Sequence, residues 1–406
     1  MALDMTTFAA ALKQHYVDFT VKNMVYKNNP LFALMRKDEK FGGSNLPLPL
    51  IYGNQQGRSA TFGNAVAQKT NTQVKAFTLI RASDYSLANI QNEVLEASEG
   101  NTDAFMKAAT TEIDGAIQSC TRSLAIALNR NGTGTIGQIS SGSTVGNPTI
   151  TLARISDITN FEVGMTVQAS STDGGAVISA GASAVITGLD RMLGNLTISG
   201  PWSTSIGAVT AGSYLLVAGD SNAKIKGLDA WLPMPGTLTN TLFFGVDRTA
   251  DATRLGGVAV AYVGVPIEEA LVDLSAKIGR EGGTPDYAQV SFEQYANLEK
   301  ALGSKVIYSD PLKAEDAQIA FAGIKVMGTK GPISVIPDQN CQGDRVYMLQ
   351  KDTWALYSLG GAPKLLKSDG MDFLRVSSAD AVEVRVGYYA QVGCVAPGFN
   401  GVGQLA

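Results

Sequence analysis

His15 is the only histidine in this chain, so any Ser-His-Asp relay would have to run through it. No Gly-x-Ser-x-Gly stretch presents a nucleophile to complete such a relay. A lone histidine among lysines reads as a solvated or structural side chain. Cys120, Cys341 and Cys394 stand too far apart in sequence to form a metal-ligand pattern. An odd number of cysteines in so long a chain also makes a poor disulfide framework, so these read as reduced, buried thiols. Gly132, Gly134 and Gly137 match the Gly-x-Gly-x-x-Gly spacing that cradles a dinucleotide. They follow a helical pattern instead of opening one, so they read as a helix stop and a flexible junction. No Gly-Lys-Ser/Thr phosphate loop occurs. Glu268 and Glu269 stand at a helix start, where carboxylates favour the macrodipole more simply than they serve acid–base chemistry. Tyr388 and Tyr389 alternate with Val384, Val386 and Val392 on a strand pattern and read as packing residues. The expectation is a protein that is not an enzyme, with no catalytic, cofactor or metal site.

The most informative element is a helical pattern from Asn101 to Gly132. Met106, Ala109, Ile113, Ile117, Cys120, Leu124 and Leu128 recur at steps of three and four, one apolar stripe. Asn101 and Thr102 suit its start and Asn131-Gly132 its end. A helix of about 30 residues reaches ~45 Å, and its apolar face needs an equally long partner surface. Before it lies a Gly- and Pro-rich segment, 41–81. Its strand-like runs Leu46–Tyr52 and Gln73–Ile80 flank a polar tip, Gly53 to Arg58. Such a two-stranded ribbon has little core of its own.

The 406 residues suffice for two or three domains, and 45% hydrophobic against 17% charged residues allows a large core. The net charge of -4 gives no support to a dedicated nucleic-acid surface. No apolar run is long enough to span a membrane. The first residues lack the basic and apolar regions of a signal peptide. Residues 1–40 read as an arm with a mild basic excess, a solvated face or a contact for an acidic neighbour or packaged nucleic acid.

Residues 135–222 are rich in Ser, Thr, Gly, Val and Ile and contain an echo. Gly146-Asn147-Pro148-Thr149-Ile150-Thr151 recurs as Gly194-Asn195-Leu196-Thr197-Ile198-Ser199, 48 positions later. Val163-Gly164-Met165 matches Ala211-Gly212-Ser213 at the same offset. Two similar β units packed as a small sandwich or barrel are expected. Beyond Lys224 the pattern turns to mixed α/β. Ile267, Leu271, Leu274 and Ile278 form a helical stripe after Pro266, and Ser291 with Gln294 forms a capping box stapled by Val290 and Tyr295. Short strands are expected at 325–328, 333–336, 346–349 and 354–357. A polar loop, 366–380, precedes a long strand, 382–395, closed by Pro397 and Gly398.

This order resembles the major capsid proteins of tailed bacteriophages, the HK97-fold family. Asn101–Asn131 resembles their spine helix and Gly42–Arg81 their extended loop. Val246-Asp247-Arg248 with Asp251, Arg254, Leu255 and Gly256 resembles their axial segment, as does Pro285-Asp286-Tyr287. The resemblance implies an α+β, HK97-like capsid fold with an inserted all-β domain. It implies an N-terminal arm (1–40), an extended loop (41–81) and a peripheral domain (82–134 and 366–396). The β insert (135–222), an axial domain (223–365) and a C-terminal tail (397–406) complete the layout.

The implied function is self-assembly, as pentamers and hexamers, into the icosahedral shell around a double-stranded DNA genome. Portal, scaffolding and decoration proteins are the further partners, DNA contact is non-specific, and no membrane is involved. Gly42, Gly43, Gly53, Gly57 and Gly63 would lend the loop flexibility. Gly53, Arg58, Phe62 and Lys69 in the loop, and Asp369, Asp372 and Arg375 in the polar loop, are the expected inter-subunit contacts. Some relatives link a loop lysine to an asparagine covalently. Lys69 and Lys75 are available here, but Ser368–Ala379 holds no asparagine, so no such link is expected. About 40 residues before the loop leave no room for a large cleaved scaffolding segment. The competing readings are an encapsulin-type nanocompartment shell and a surface or tail-associated binding module.

Overall fold

The computed structural model describes residues 29–93, 102–302, 312–314, 317–321, 324–366, 374–376 and 379–405, with backbone alone over 102–111 and 312–321. The arm up to residue 28 with His15, the cap at Asn101, and the side chains of Met106 and Ala109 lie outside this description.

The long helix runs Thr102–Asn129. Ile113 and Ile117 are half-buried, and Cys120, Leu124 and Leu128 are buried, so the expected stripe faces the main core. The last turns depart from a one-faced helix: every residue from Leu124 to Asn129 is buried. Leu124 and Leu128 pack into the main core, whereas Ile126 packs into a second apolar cluster built from residues 136–215. The helix end is therefore clamped from two sides.

One side is a sheet. The long strand Ala381–Cys394 pairs antiparallel with Ala82–Gln91 through ten residues and with Trp354–Ser358. Arg36–Asp38 adds a parallel edge to Trp354–Ser358. Trp354–Ser358 thus lies with the long strand, not with Arg345–Leu349, so strand pairing breaks before the boundary expected at 365.

The other side is a barrel. Its six strands run in the order Thr135–Gln138, Tyr214–Val217, Thr166–Ser170, Ala184–Asp190, Asn195–Ile198, Thr149–Thr151. A bridge between Ile139 and Leu152 joins first to last and closes it. The sequence echo has a physical meaning here. Thr149 pairs directly with its echo Thr197, their hydroxyls 2.9 Å apart, so a local two-fold runs between the halves. The second echo pair, Gly164 and Gly212, share nearly one conformation, φ +89° and +87°, ahead of strands that also pair with each other. Closure leaves no sheet edge, and Phe161, Trp202, Leu196 and Leu215 fill the interior.

The junction into this barrel is packed, not flexible as its glycines suggested. Gly134 has φ +85°, and a Cβ there would come within 2.3 Å of the Asp220 carbonyl. Entering and leaving chains therefore touch, and glycine is what permits it. Ion pairs seal the seam: Arg130–Asp157 at 2.6 Å, Arg154–Asp344 at 2.7 Å, and Lys224 between Asp84 (2.7 Å) and Asp220 (3.0 Å). Burial opposes the charge on Lys224, but the two carboxylates outweigh it and raise its pKa.

A third sheet holds Tyr287–Val290 between Gly331–Pro337, parallel to it, and Arg345–Leu349, antiparallel. Ile324–Gly328 is one edge and Val258–Ala261 the other. Gly401–Gln404 inserts between Val258–Ala261 and Arg345–Leu349, so the expected C-terminal tail is a sheet strand. Alternation sorts the faces: Tyr287, Tyr347 and Leu349 join the main core, while Ala288, Val346 and Met348 meet the helices Ile267–Arg280 and Phe292–Leu302. Ser291 Oγ accepts from the Gln294 amide at 3.3 Å, half of the expected capping box; Gln294 Nε2 donates instead to the Gly343 carbonyl.

Candidate assembly surface

The ribbon is the element that stands furthest from self-sufficiency. Asn45–Gly53 pairs antiparallel with Gln73–Ile80, Leu46 opposite Leu79 and Leu48 opposite Phe77. At this end the ribbon is anchored. Leu48, Phe77 and Leu79 are buried in the main core. The Phe77 ring meets Trp231 edge-on at 4.9 Å and Phe243 at 6.1 Å. Arg248 lies 4.1 Å over the Phe243 ring while donating to the carbonyls of Ala230 and Trp231. The Thr78 amide donates to Phe244, and Arg254 Nη1 to Tyr52.

Away from the root the ribbon exposes what a core would bury: Ile51 and Val74 are both more than half exposed. The tip is longer than Gly53–Arg58. Gly53 ends a strand opposite Gln73, and the chain returns only after 19 more residues, 54–72. Gln56 and Thr70 close its neck through two hydrogen bonds, 2.7 and 2.8 Å. Of the five loop glycines, Gly57 alone takes a left-handed backbone, φ +152°, with Lys69 so near that a Cβ would come within 3.1 Å of its Cα. That approach holds the tip at Gly57. A short helix, Phe62–Ala67, caps the tip, with no buried residue. Sequence periodicity does not reveal a single turn of this length.

Arg58, Lys69 and Phe62 are exposed on this tip; neither Arg58 nor Lys69 has a hydrogen-bond or ion-pair partner among the described residues. Arg375 is exposed on Leu374–Arg375, which pairs with the long strand. Asp369 and Asp372 lie outside the described residues. Within one chain nothing brings Arg58 and Arg375 into contact.

A second feature escaped sequence reasoning: a buried polar hub where the N-terminal segment joins the body. Gln289 Nε2 donates to Asn129 Oδ1 at 2.7 Å and to Asp338 Oδ2 at 3.0 Å. Asp338 also accepts from the Asn340 and Leu31 amides, and Asn340 Nδ2 donates to Asn29. Burial pushes the Asp338 carboxyl up to about 6 against these donors. Such isolated Asn, Gln and Asp residues carry no periodic signal; only the fold gathers them.

Chemistry is sparse. Among the described residues no His/Cys/Asp/Glu cluster could hold a metal ion, and no helix is long and apolar enough to cross a membrane. All three cysteines are free and buried. Burial pushes the Cys120 and Cys394 thiols up to about 12, far from nucleophilic reactivity. A cleft of about 620 Å³ opens between the long helix and the barrel. Its charged walls are largely spent in the seam's own ion pairs.

A chain of the cyanophage A-1(L) capsid asymmetric unit superposes on this protein with a TM-score of 0.56, covering 99% of both chains at 13% identity. The two chains share one fold. It is a mixed α+β fold, and the likeness extends over essentially the whole length of both chains. Mycobacterium phage Ogopogo (TM-score 0.45, 10% identity, 100% of both chains) also matches. So does the holo-SrpI encapsulin complex of Synechococcus elongatus (TM-score 0.42, 8% identity, 100% of this chain and 96% of that one). Neither of these adds to the argument. No protein-family model and no curated protein sequence matches the chain.

Proposed function

We propose that this protein is the major capsid protein of a tailed phage, of the HK97 fold, and self-assembles into the icosahedral shell that encloses a double-stranded DNA genome. The observation that carries this is the fold shared end to end with a capsid chain. The ribbon gives it a mechanism. It is rooted in the core yet leaves Ile51, Val74 and Phe62 in water, a cost that disappears when a neighbouring copy covers them.

In this reading residues 1–40 are the arm, 41–81 the extended loop, and 82–134 with 366–396 the peripheral domain. The axial domain spans 223–353 together with Gly401–Gln404, Trp354–Ser358 going with the peripheral domain, with whose long strand it pairs, and 135–222 is an inserted barrel clamped to the spine helix. The protein works as a virion component, by geometry and not by catalysis. Pentamers and hexamers use the same contacts, each weak alone, since exposed ion pairs such as those open to Arg58 and Arg375 contribute ~0–1 kcal/mol. Interfaces that hold obligate assemblies bury ~2,000 Å² or more. Portal, scaffolding and decoration proteins are its further partners, with non-specific DNA contact on the inner face.

Electron microscopy of the purified protein tests this. Closed shells are expected. Discrete monomers or trimers under all assembly conditions would overturn it.

A further inference from the structure

Among the described residues the two most exposed large apolar side chains are Phe62 (86%) and Met192 (85%). Both sit on short, hydrogen-bonded pieces of chain. Phe62 opens the tip helix Phe62–Ala67, which carries no charged residue, and Val66, 46% exposed, lies one turn on along the same face. Met192 sits in the turn between two barrel strands. Asp190 Oδ1 accepts from the amides of both Met192 (3.0 Å) and Leu193 (3.1 Å), fixing the turn with both side chains outward. Of the two charged residues in the turn, Asp190 is held by those amides, and Arg191 folds back to donate to the carbonyls of Ile158 and Phe161 and to pair with Glu162 at 2.8 Å. Ile155, half exposed, lies against the backbone of Gly194 and extends the patch. The barrel itself does not need these residues. In its other half, 48 positions earlier, Thr144 stands where Met192 does.

Neither apolar surface is covered within the described residues of one chain. The tip helix is uncharged but has exposed Arg58 and Lys69 beside it, and the barrel turn has the exposed Asp190 carboxylate beside it, so each apolar patch carries at its margin a charge opposite to the other's. The ribbon's strand of nine residues spans ~30 Å at ~3.3 Å per residue, a reach suited to a neighbour. A contact between two different patches of identical chains is heterologous and repeats from subunit to subunit until a ring closes.

Resting on the shell reading above, we propose that the tip helix of one subunit seats Phe62 and Val66 on the Ile155, Met192 and Leu193 patch of the next subunit's barrel. The barrel thereby acts as the receptor for the ribbon.

Disulfide trapping tests this, because the three native cysteines are buried and do not compete. Shells of the Phe62→Cys/Met192→Cys double variant, oxidised and run denatured without reductant, are expected to give a ladder of covalent multimers. Either single variant is expected to give none. Shells from the double variant without a ladder would overturn the contact. Failure of the unaltered protein to form any shell would instead overturn the capsid reading. If the cysteine variants do not assemble, a charge exchange decides. Phe62→Asp and Met192→Lys should each lower shell yield about tenfold or more, and their combination should recover most of it, as complementary charges at a contact do. A combined variant that assembles no better than the singles would overturn the proposal.

Discussion

Arg254 Nη1 donates to the backbone carbonyl of Tyr52 at 2.7 Å, tying the segment around residue 250 to the ribbon 202 positions earlier. This bond, with Thr78 to Phe244, sets where the ribbon leaves the body. The Arg254 side chain is about half exposed, so its bond contributes little stability while fixing direction. Arg254→Ala should lower subunit stability by no more than about 1 kcal/mol yet reduce shell yield. Faster amide exchange over residues 50–53 with an unchanged melting curve is the expected signature. A normal yield would show the bond to be incidental.

Phe77 is the ribbon's plug. It is fully buried against Trp231 and Phe243. Phe77→Ala should cost about 3–5 kcal/mol, the usual loss for emptying such a site. Urea unfolding measures it. A loss under about 1 kcal/mol would mean that the ribbon root is not part of the cooperative core.

The tip can be removed where its neck is closed. Replacing Gly57–Lys69 by an Asn-Gly turn keeps the strands in register, because Gln56 and Thr70 already stand together. The variant should fold with near-normal stability and fail to form closed shells. Normal particles in micrographs would refute a role for the tip in assembly.

Asp338 gives a pH dependence of definite sign. Its carboxyl is pushed by burial from 3.8 up to about 6, so the folded state holds a proton that the unfolded chain releases. That contribution is complete below about pH 3.8 and is lost as pH rises through about 6. A shift of this size corresponds to ~3 kcal/mol. Asp338→Asn should remove it, and the stability of the unaltered protein relative to this variant should fall from pH 4 to pH 7. Parallel urea midpoints across that range would contradict it.

Covalent linkage between subunits is not expected. Lys69 and Lys75 are exposed on the ribbon, but the segment 368–379 supplies no asparagine. Denatured shells should show the mass of single chains, and covalent multimers would refute this.

Much of this architecture was legible in the residues. The stripe from Ile113 to Leu128 required a long helix, alternating runs at 46–52 and 73–80 required a ribbon, and the echo at an offset of 48 marked the barrel's two halves. These signals are local: they arise from periodicity, capping and turn chemistry within a few residues. The candidate contacts were less legible. Arg58 belonged to the polar tip that the sequence marked, but the extension of that tip to Phe62 and Lys69, the Met192 turn, the Phe77 plug and the Asp338 hub carry no pattern.

The sequence by itself determined the kinds of elements, their order, and the absence of a recognisable catalytic constellation. Tertiary structure alone decided that Ile126 faces the barrel while Leu124 faces the main core, and that Trp354–Ser358 leaves its sequence neighbours for the long strand. It also turned the C-terminal residues 401–404 from a tail into a sheet strand. The physical reason is that periodicity fixes which face of an element is apolar. Which of several apolar surfaces covers that face depends on packing between residues far apart in the chain.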